Sequence, residues 1–292
     1  MQDAARLAHP NPSRFALTGG EPFLDFELLL ELATHARDLG GQATCVTNGY
    51  WATSDKRALE ILRQLKTAGL EILAVSTSRF HQQFVKRQRV ERVLRAARQL
   101  DMDCTLKYIR TSSDPAPMGE IERWAFAAGA TAVQDIALLP SLRPGVSLPE
   151  TEYLRVPGIP KGVCPGAVLT VREDGQAFGC CTPGADTGFF SLGDTSDTAL
   201  RAIRDRFCFD GKQQLLRSQG PEYFANAIAS QGLAHRLRDS YTSVCDLCVH
   251  IASDPVMASV AGELAHRFEV SQLEQILGPL VSAPVHNQGA SQ

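Results

Sequence analysis

The sequence is short of several things. No apolar run approaches the roughly 20 residues that a membrane-crossing helix needs. Neither sign of charge dominates: 29 Lys and Arg stand against 32 Asp and Glu, for a net charge of −3. With a pI of about 6.2 there is no electrostatic case for nucleic acid or an anionic membrane as partner. The first ten residues carry Asp3 and lack a basic stretch followed by an apolar core, so they do not read as a signal peptide. These absences point to a cytoplasmic setting, where the eight cysteines are thiols. Cysteine pairs there bind metal more often than they form structural disulfides.

What is present is a globular composition, 44% hydrophobic over 292 residues, long enough for roughly two domains. The chain is organised around Phe15-Ala-Leu-Thr-Gly-Gly-Glu-Pro22. Arg14 to Thr18 reads as a short buried strand. Gly19-Gly20 allows a sharp turn, and Pro22 ends the strand. A helix should follow at once, with Leu24, Leu28, Leu32 and Ala36 on its buried face. Glu21 then sits at a strand's carboxyl end beside a helix N-terminus, where ligands bind in α/β proteins.

Strands and helices alternate from there. Strands are expected over 42–47, 70–76, 103–109 and 131–139, and helices over 55–68, 82–100 and 118–128. Such alternation means a parallel sheet. Residues 140–160 are Pro-rich and irregular and mark a boundary. Beyond it, 168–172 and 176–180 flank Glu173-Asp174-Gly175 as a β-hairpin, and short helices are expected over 198–207, 212–218 and 223–229. Residues 256–292 read as a C-terminal helix and a disordered tail.

Cys164, Cys180, Cys245 and Cys248 form the chemically suggestive set. A Cys-x2-Cys turn sends two sulfurs to one side, and a hairpin bringing Cys180 beside Cys164 supplies the other pair. Four thiolates satisfy either tetrahedral zinc or a cubane cluster, and local chemistry does not choose between them. Cys181 points to the opposite face if the strand persists. Cys45, Cys104 and Cys208 read as small buried hydrophobes.

Gly19-Gly20-Glu21-Pro22 resembles the GGEP motif of radical S-adenosylmethionine (SAM) enzymes. Thr47-Asn48-Gly49 is similar to a segment that lies near SAM in that family. Ser76-x-Ser78-x-Phe80-His81-x-x-Phe84 is similar to a Ser-x-Asp-x-Phe-His-x-x-Phe pattern, with Ser78 in place of the acid. Pro140-Ser141-Leu142-Arg143 is similar to a Pro-x-Gly-Arg loop near the adenine, with Leu142 in place of the glycine. The resemblance implies that Gly19, Gly20, Glu21 and Pro22 hold the methionine ammonium, that Thr47, Asn48 and Ser76 lie against SAM, and that Arg143 lies by the adenine. His81 is a candidate pocket residue. Cys164, Gly175, Cys180 and the Cys245–Cys248 pair look like a twitch domain, the single-cluster form of the SPASM extension, which implies an auxiliary 4Fe–4S cluster on the four cysteines.

The fold so implied is a partial parallel (β/α)6-type barrel missing its first strand, over 1–145, followed by a small α+β cluster-binding domain over 160–255. The defining Cys-x3-Cys-x2-Cys of the family is nowhere in the sequence. The favoured expectation is an N-terminally shortened radical enzyme. Its intact form would cleave SAM reductively and abstract hydrogen from a substrate, by family habit a ribosomal peptide, with an electron donor as further partner. SAM binding to the chain as it stands is expected to be weak or absent. The alternative is a non-catalytic relative with a structural four-cysteine zinc site.

Overall fold

The computed structural model describes residues 14–140, 148–166 and 168–281. Arg143, the segment 1–13 and the expected tail 282–292 lie outside the described residues. The chain divides into two compact units, the first ending at Leu138 and taking in 148–154, the second running from Arg155 onward.

The first unit begins with β1 (Arg14–Leu17), a 3-10 turn (Pro22–Leu24) and α1 (Phe26–Asp38). Next come β2 (Gln42–Thr47), α2 (Asp55–Ala68) and β3 (Leu70–Thr77). The short α3 (His81–Phe84) precedes α4 (Arg87–Gln99), and β4 (Asp103–Arg110), α5 (Met118–Ala128) and β5 (Ala132–Ala137) complete the unit. The five strands pair in sequence order, every pair parallel, so each helix is a crossover. Among the described residues β1 pairs on one side only, with β2.

Alternation along the strands sets the layers. Cys45, Leu73 and Cys104 lie in register and are buried, as are Leu106 and Tyr108 further along β4. These residues share one core with Leu29 and Ala33 of α1, Ile61 and Leu65 of α2, Val90 and Leu94 of α4, and Ile121 of α5. The opposite face carries Thr44, Ser76, Lys107 and Gln134, none of which joins that core.

Two local expectations are corrected. Asp25 accepts from the Leu28 N–H at 3.0 Å and caps α1, so the helix starts at Phe26 rather than at the GGEP turn. Its buried face is Leu29, Ala33 and Ala36, while Leu24 is 76% exposed and Leu28 47%. The expected helix over 82–100 is broken, because Val85 is buried and the backbone is extended at Val85 and Lys86.

In the second unit β6 (Val156–Pro157) pairs antiparallel with β10 (Ser240–Tyr241). A three-stranded antiparallel sheet holds β7 (Thr170–Val171), β8 (Gln176–Phe178) and β9 (Ser191–Asp194). The β7–β8 turn is the expected hairpin. Gly175 takes a φ of +86° there, and its N–H donates to Arg172 O at 3.0 Å. The helices are α6 (Leu200–Phe209), α7 (Gly211–Ser218), α8 (Pro221–Ile228), α9 (Val244–Ser253) and α10 (Pro255–Val281). Phe190, Leu215, Phe224, Ile228, Tyr241, Leu247, Ile251 and Met257 form their core. Among the described residues no single helix is long and apolar enough to cross a membrane. Cys208, expected to be buried, is exposed on α6, whose buried stripe runs through Ile203.

Candidate functional site

Two groups of side chains carry chemistry, one in each unit. In the first, Gly19 and Gly20 turn the chain at the carboxyl end of β1 with φ of +106° and +52°. No atom lies within 4 Å of where a Cβ on either would stand, so the turn borders open space. Glu21 follows with an extended backbone and caps the Pro22–Leu24 turn. One carboxylate oxygen accepts from Thr47 Oγ1 at 2.6 Å and from the Phe23 N–H at 3.3 Å, and the other accepts from the Asn48 N–H at 2.7 Å. Glu21 therefore ties the end of β1 to the end of β2.

The second strand end is equally well held. Thr47 Oγ1 accepts from the Gly49 N–H at 3.1 Å and from the Trp51 indole N–H at 3.0 Å. Asn48 Oδ1 accepts from the Tyr50 N–H at 2.9 Å, in the local turn pattern typical of Asn. Ser76 Oγ donates to Thr47 O at 3.4 Å, which brings the end of β3 into the same group. Gly19, Gly20, Glu21, Pro22, Thr47, Asn48 and Ser76 are thus assembled at three adjacent strand ends.

His81 belongs to the β3–α3 turn. Its Nδ1 lies 2.7 Å from Ser78 Oγ, which also accepts from the N–H groups of Phe80 and His81. Burial lowers the His81 pKa, and the negative charge of Glu21 opposes that shift. The ring is therefore neutral at pH 7, a hydrogen-bonding group rather than a cation. Sequence reasoning missed the aromatic support of this site. Phe23 and Trp51 stack at 4.4 Å between ring centroids, and Tyr50 Oη donates to Phe23 O at 3.1 Å. The run Tyr50-Trp51 directly after Thr-Asn-Gly was the available signal.

The second unit carries Cys164, Cys180, Cys245 and Cys248, none of them exposed. Cys164, Cys180 and Cys248 all pack against the core there. Burial pushes the Cys245 thiol up to about 12, reinforced by Cys164, Cys181 and Cys180. Burial raises Cys248 as well, followed by Cys180, Cys245 and Cys164. Cys180 Sγ lies 3.1 Å from Thr182 Oγ1 and accepts from the Thr182 N–H at 3.5 Å. The strand that would carry Cys181 to the far face does not reach it. β8 ends at Phe178, so strand alternation no longer separates Cys180 from Cys181. A Cβ on Gly166 would fall 2.9 Å from the Cys181 sulfur, which places that exposed thiol near the Cys164 loop.

Thiols of this kind are the donors that a thiolate-bound iron–sulfur cluster or zinc ion takes. N–H donation to Cys180 sulfur suits a thiolate ligand. Among the described residues, no three His, Cys, Asp or Glu side chains are grouped to hold a single metal ion.

No family model matches the chain. Among solved structures the chain is similar to a domain of pyruvate-formate lyase-activating enzyme from Bacteroides vulgatus ATCC 8482. That likeness has 17% identity and a TM-score of 0.35, covering 47% of this chain and 86% of that one. Among curated proteins it is similar to "Putative peptide biosynthesis protein YydG" of Bacillus subtilis (strain 168). The two are 21% identical over 247 residues, covering 80% of this chain and 75% of that protein, so the likeness takes in residues of both units.

Proposed function

We propose that this chain is a radical SAM-type protein that acts in peptide modification, with SAM held at the strand ends of the first unit and a 4Fe–4S cluster on Cys164, Cys180, Cys245 and Cys248. One observation carries the reading. Three of the motif segments on which the resemblance rests meet in space, with Glu21 bonded to Thr47 and Asn48, and Ser76 to Thr47, beyond an open glycine turn. The Glu21 oxygen that accepts from the Asn48 N–H has one hydrogen bond and keeps acceptor capacity, which suits an ammonium group. Peptide modification as the setting is supported by the curated relative, whose name places it in peptide biosynthesis.

A bound cluster would supply one-electron chemistry and a site for anchoring substrate. The residues of this chain supply its thiolates, the Thr182 N–H that steadies Cys180, and the apolar wall behind them. These 292 residues contain no Cys-x3-Cys-x2-Cys, so we assign them the binding of SAM rather than its reductive cleavage. The other reading is a structural zinc site on the same four cysteines.

Anaerobic reconstitution with ferrous iron and sulfide, followed by iron, sulfide and zinc analysis, tests the second unit. Four iron and four sulfide per chain are the expected result, as an order-of-magnitude stoichiometry of about one cluster. Stoichiometric zinc without iron would overturn it. Calorimetry with SAM tests the first unit: weak heats are expected for the wild type and none for Glu21→Ala. Equal heats would reduce the GGEP turn to a structural element.

A further inference from the structure

A pocket of about 290 Å³ opens between the Pro22–Leu24 turn, the loop after β2 and the start of α2. Buried Phe23, Trp51 and Ile61 line it, and half-buried Phe26 and Tyr50 flank them. Phe23 stacks on Trp51, and Phe26 lies 6.1 Å from Phe23 between ring centroids, so the wall is aromatic. Ligand sites span about 300–1,000 Å³, so a cavity at the small end suits one large side chain.

Two arginines of α4 hold the loop from behind. Arg92 Nη1 donates to Thr53 O at 2.6 Å and to Ala52 O at 3.2 Å, and Arg89 Nη1 donates to Tyr50 O. Arg57 lines the pocket and has no such task. Its backbone N–H donates to Ser54 Oγ at 3.1 Å, but its guanidinium has no hydrogen-bond or ion-pair partner among the described residues. Nor does α2 gain from it, because a cation in a first turn meets the positive end of the helix. The acid in that turn, Asp55, is paired with Arg95 at 3.0 Å. An aromatic wall is thus joined to a free guanidinium and a helix N-terminus, both of which attract an anion.

We propose that this pocket binds the C-terminal residue of a peptide, with an aromatic or large aliphatic side chain in the cavity and the terminal carboxylate on Arg57. In a terminal residue the side chain and the carboxylate branch from one Cα, so a cavity for one residue with a cation in its own lining takes both. That the ligand is a peptide rests on the peptide-modification reading above. The pocket adjoins the strand-end site through its walls: the Phe23 N–H donates to Glu21, and the Trp51 indole N–H donates to Thr47.

Trp51 reports occupancy. The chain has two tryptophans, and Trp124 Nε1 is buried without a hydrogen-bond partner, so Trp124→Phe strands no group. The 292-residue Trp124→Phe protein is titrated, without SAM or metal, with an acetylated tripeptide ending in phenylalanine, as the free acid and as the C-terminal amide. The acid should change Trp51 emission saturably and bind about tenfold more tightly than the amide, as for one charge-assisted hydrogen bond. Exposed Arg57 can be replaced without touching the core: Arg57→Gln should erase the difference, and Arg57→Lys should keep part of it.

No saturable change with the acid, equal affinities for acid and amide, or an acid preference that survives Arg57→Gln each overturns the proposal. So does equally tight binding of an amide with aspartate beside its phenylalanine, since the carboxylate would then be a side chain's. Calorimetry of the same peptides on the wild type serves if Trp124→Phe does not fold. These titrations contain no SAM, so their failure is told apart from a failure of SAM to bind at Glu21.

Discussion

At the scale of single residues, two thiols in the first unit do no chemistry yet set a pH limit. Cys104 is fully buried, and burial, then the charge of Asp103, pushes its pKa from an ordinary 9.0 to about 12. Cys45 is pushed to about 12 by burial and then by Glu21. The folded chain therefore keeps protons that the unfolded chain releases. Stability is fully present below pH 9.0 and falls as pH rises toward about 12. Each such thiol contributes a slope of about 1.4 kcal/mol per pH unit in that window. Urea midpoints under reducing conditions at rising pH should show the fall, and Cys104→Ala, though less stable at pH 7.5, should show a shallower one. A parallel pair of curves would contradict this account.

At the scale of elements, α1 decides a question of phase. Leu29 is 2% exposed and packs against the sheet, so Leu29→Ala should cost about 2–5 kcal/mol. Leu28→Glu should stay within about 0.5 kcal/mol of wild type, since its side chain is 47% exposed. Denaturant unfolding of the two variants distinguishes this face from the one a helix starting at the GGEP turn would bury. The periodicity was legible, but its origin was not, because Asp25 competes with the Gly-Gly-Glu-Pro turn as the start signal and only the capping bond shows which wins. The strands were easier to read, since a period of two places Cys45, Leu73 and Cys104 on one face whatever the exact ends. Cys-x2-Cys was plain as a local spacing. The ion pair of Arg155 with Asp246, which lies inside that turn, was not, because the two are 91 residues apart and nothing in a local pattern links them. The place of Cys181 was not legible for a similar reason: the β8 strand ends three residues before it.

At the scale of the whole molecule, each unit has its own core, and only the second contains the four-cysteine set. Stripping metal with a strong chelator, or replacing Cys248 with alanine, should speed amide hydrogen exchange in α9 and β10, whose cores meet at Leu247 and Tyr241. Exchange in β2, β3 and β4 should stay as it was. Faster exchange in those strands as well would show that the site supports more than its own unit. Cys164 and Cys248 also lie far apart along the chain, with α6, α7 and α8 between them. A group held by both closes the chain between them, α6 to α8 included, into a ring. Were the ring to survive unfolding, restricted chain entropy alone would be worth about 4.5 kcal/mol for a loop of that length. A bound group that instead escapes leaves the ends free to diffuse, and they do not find one another again without a fresh supply of it. The lifetime of the loaded protein is then a matter of how often it opens rather than of how stable it is at equilibrium.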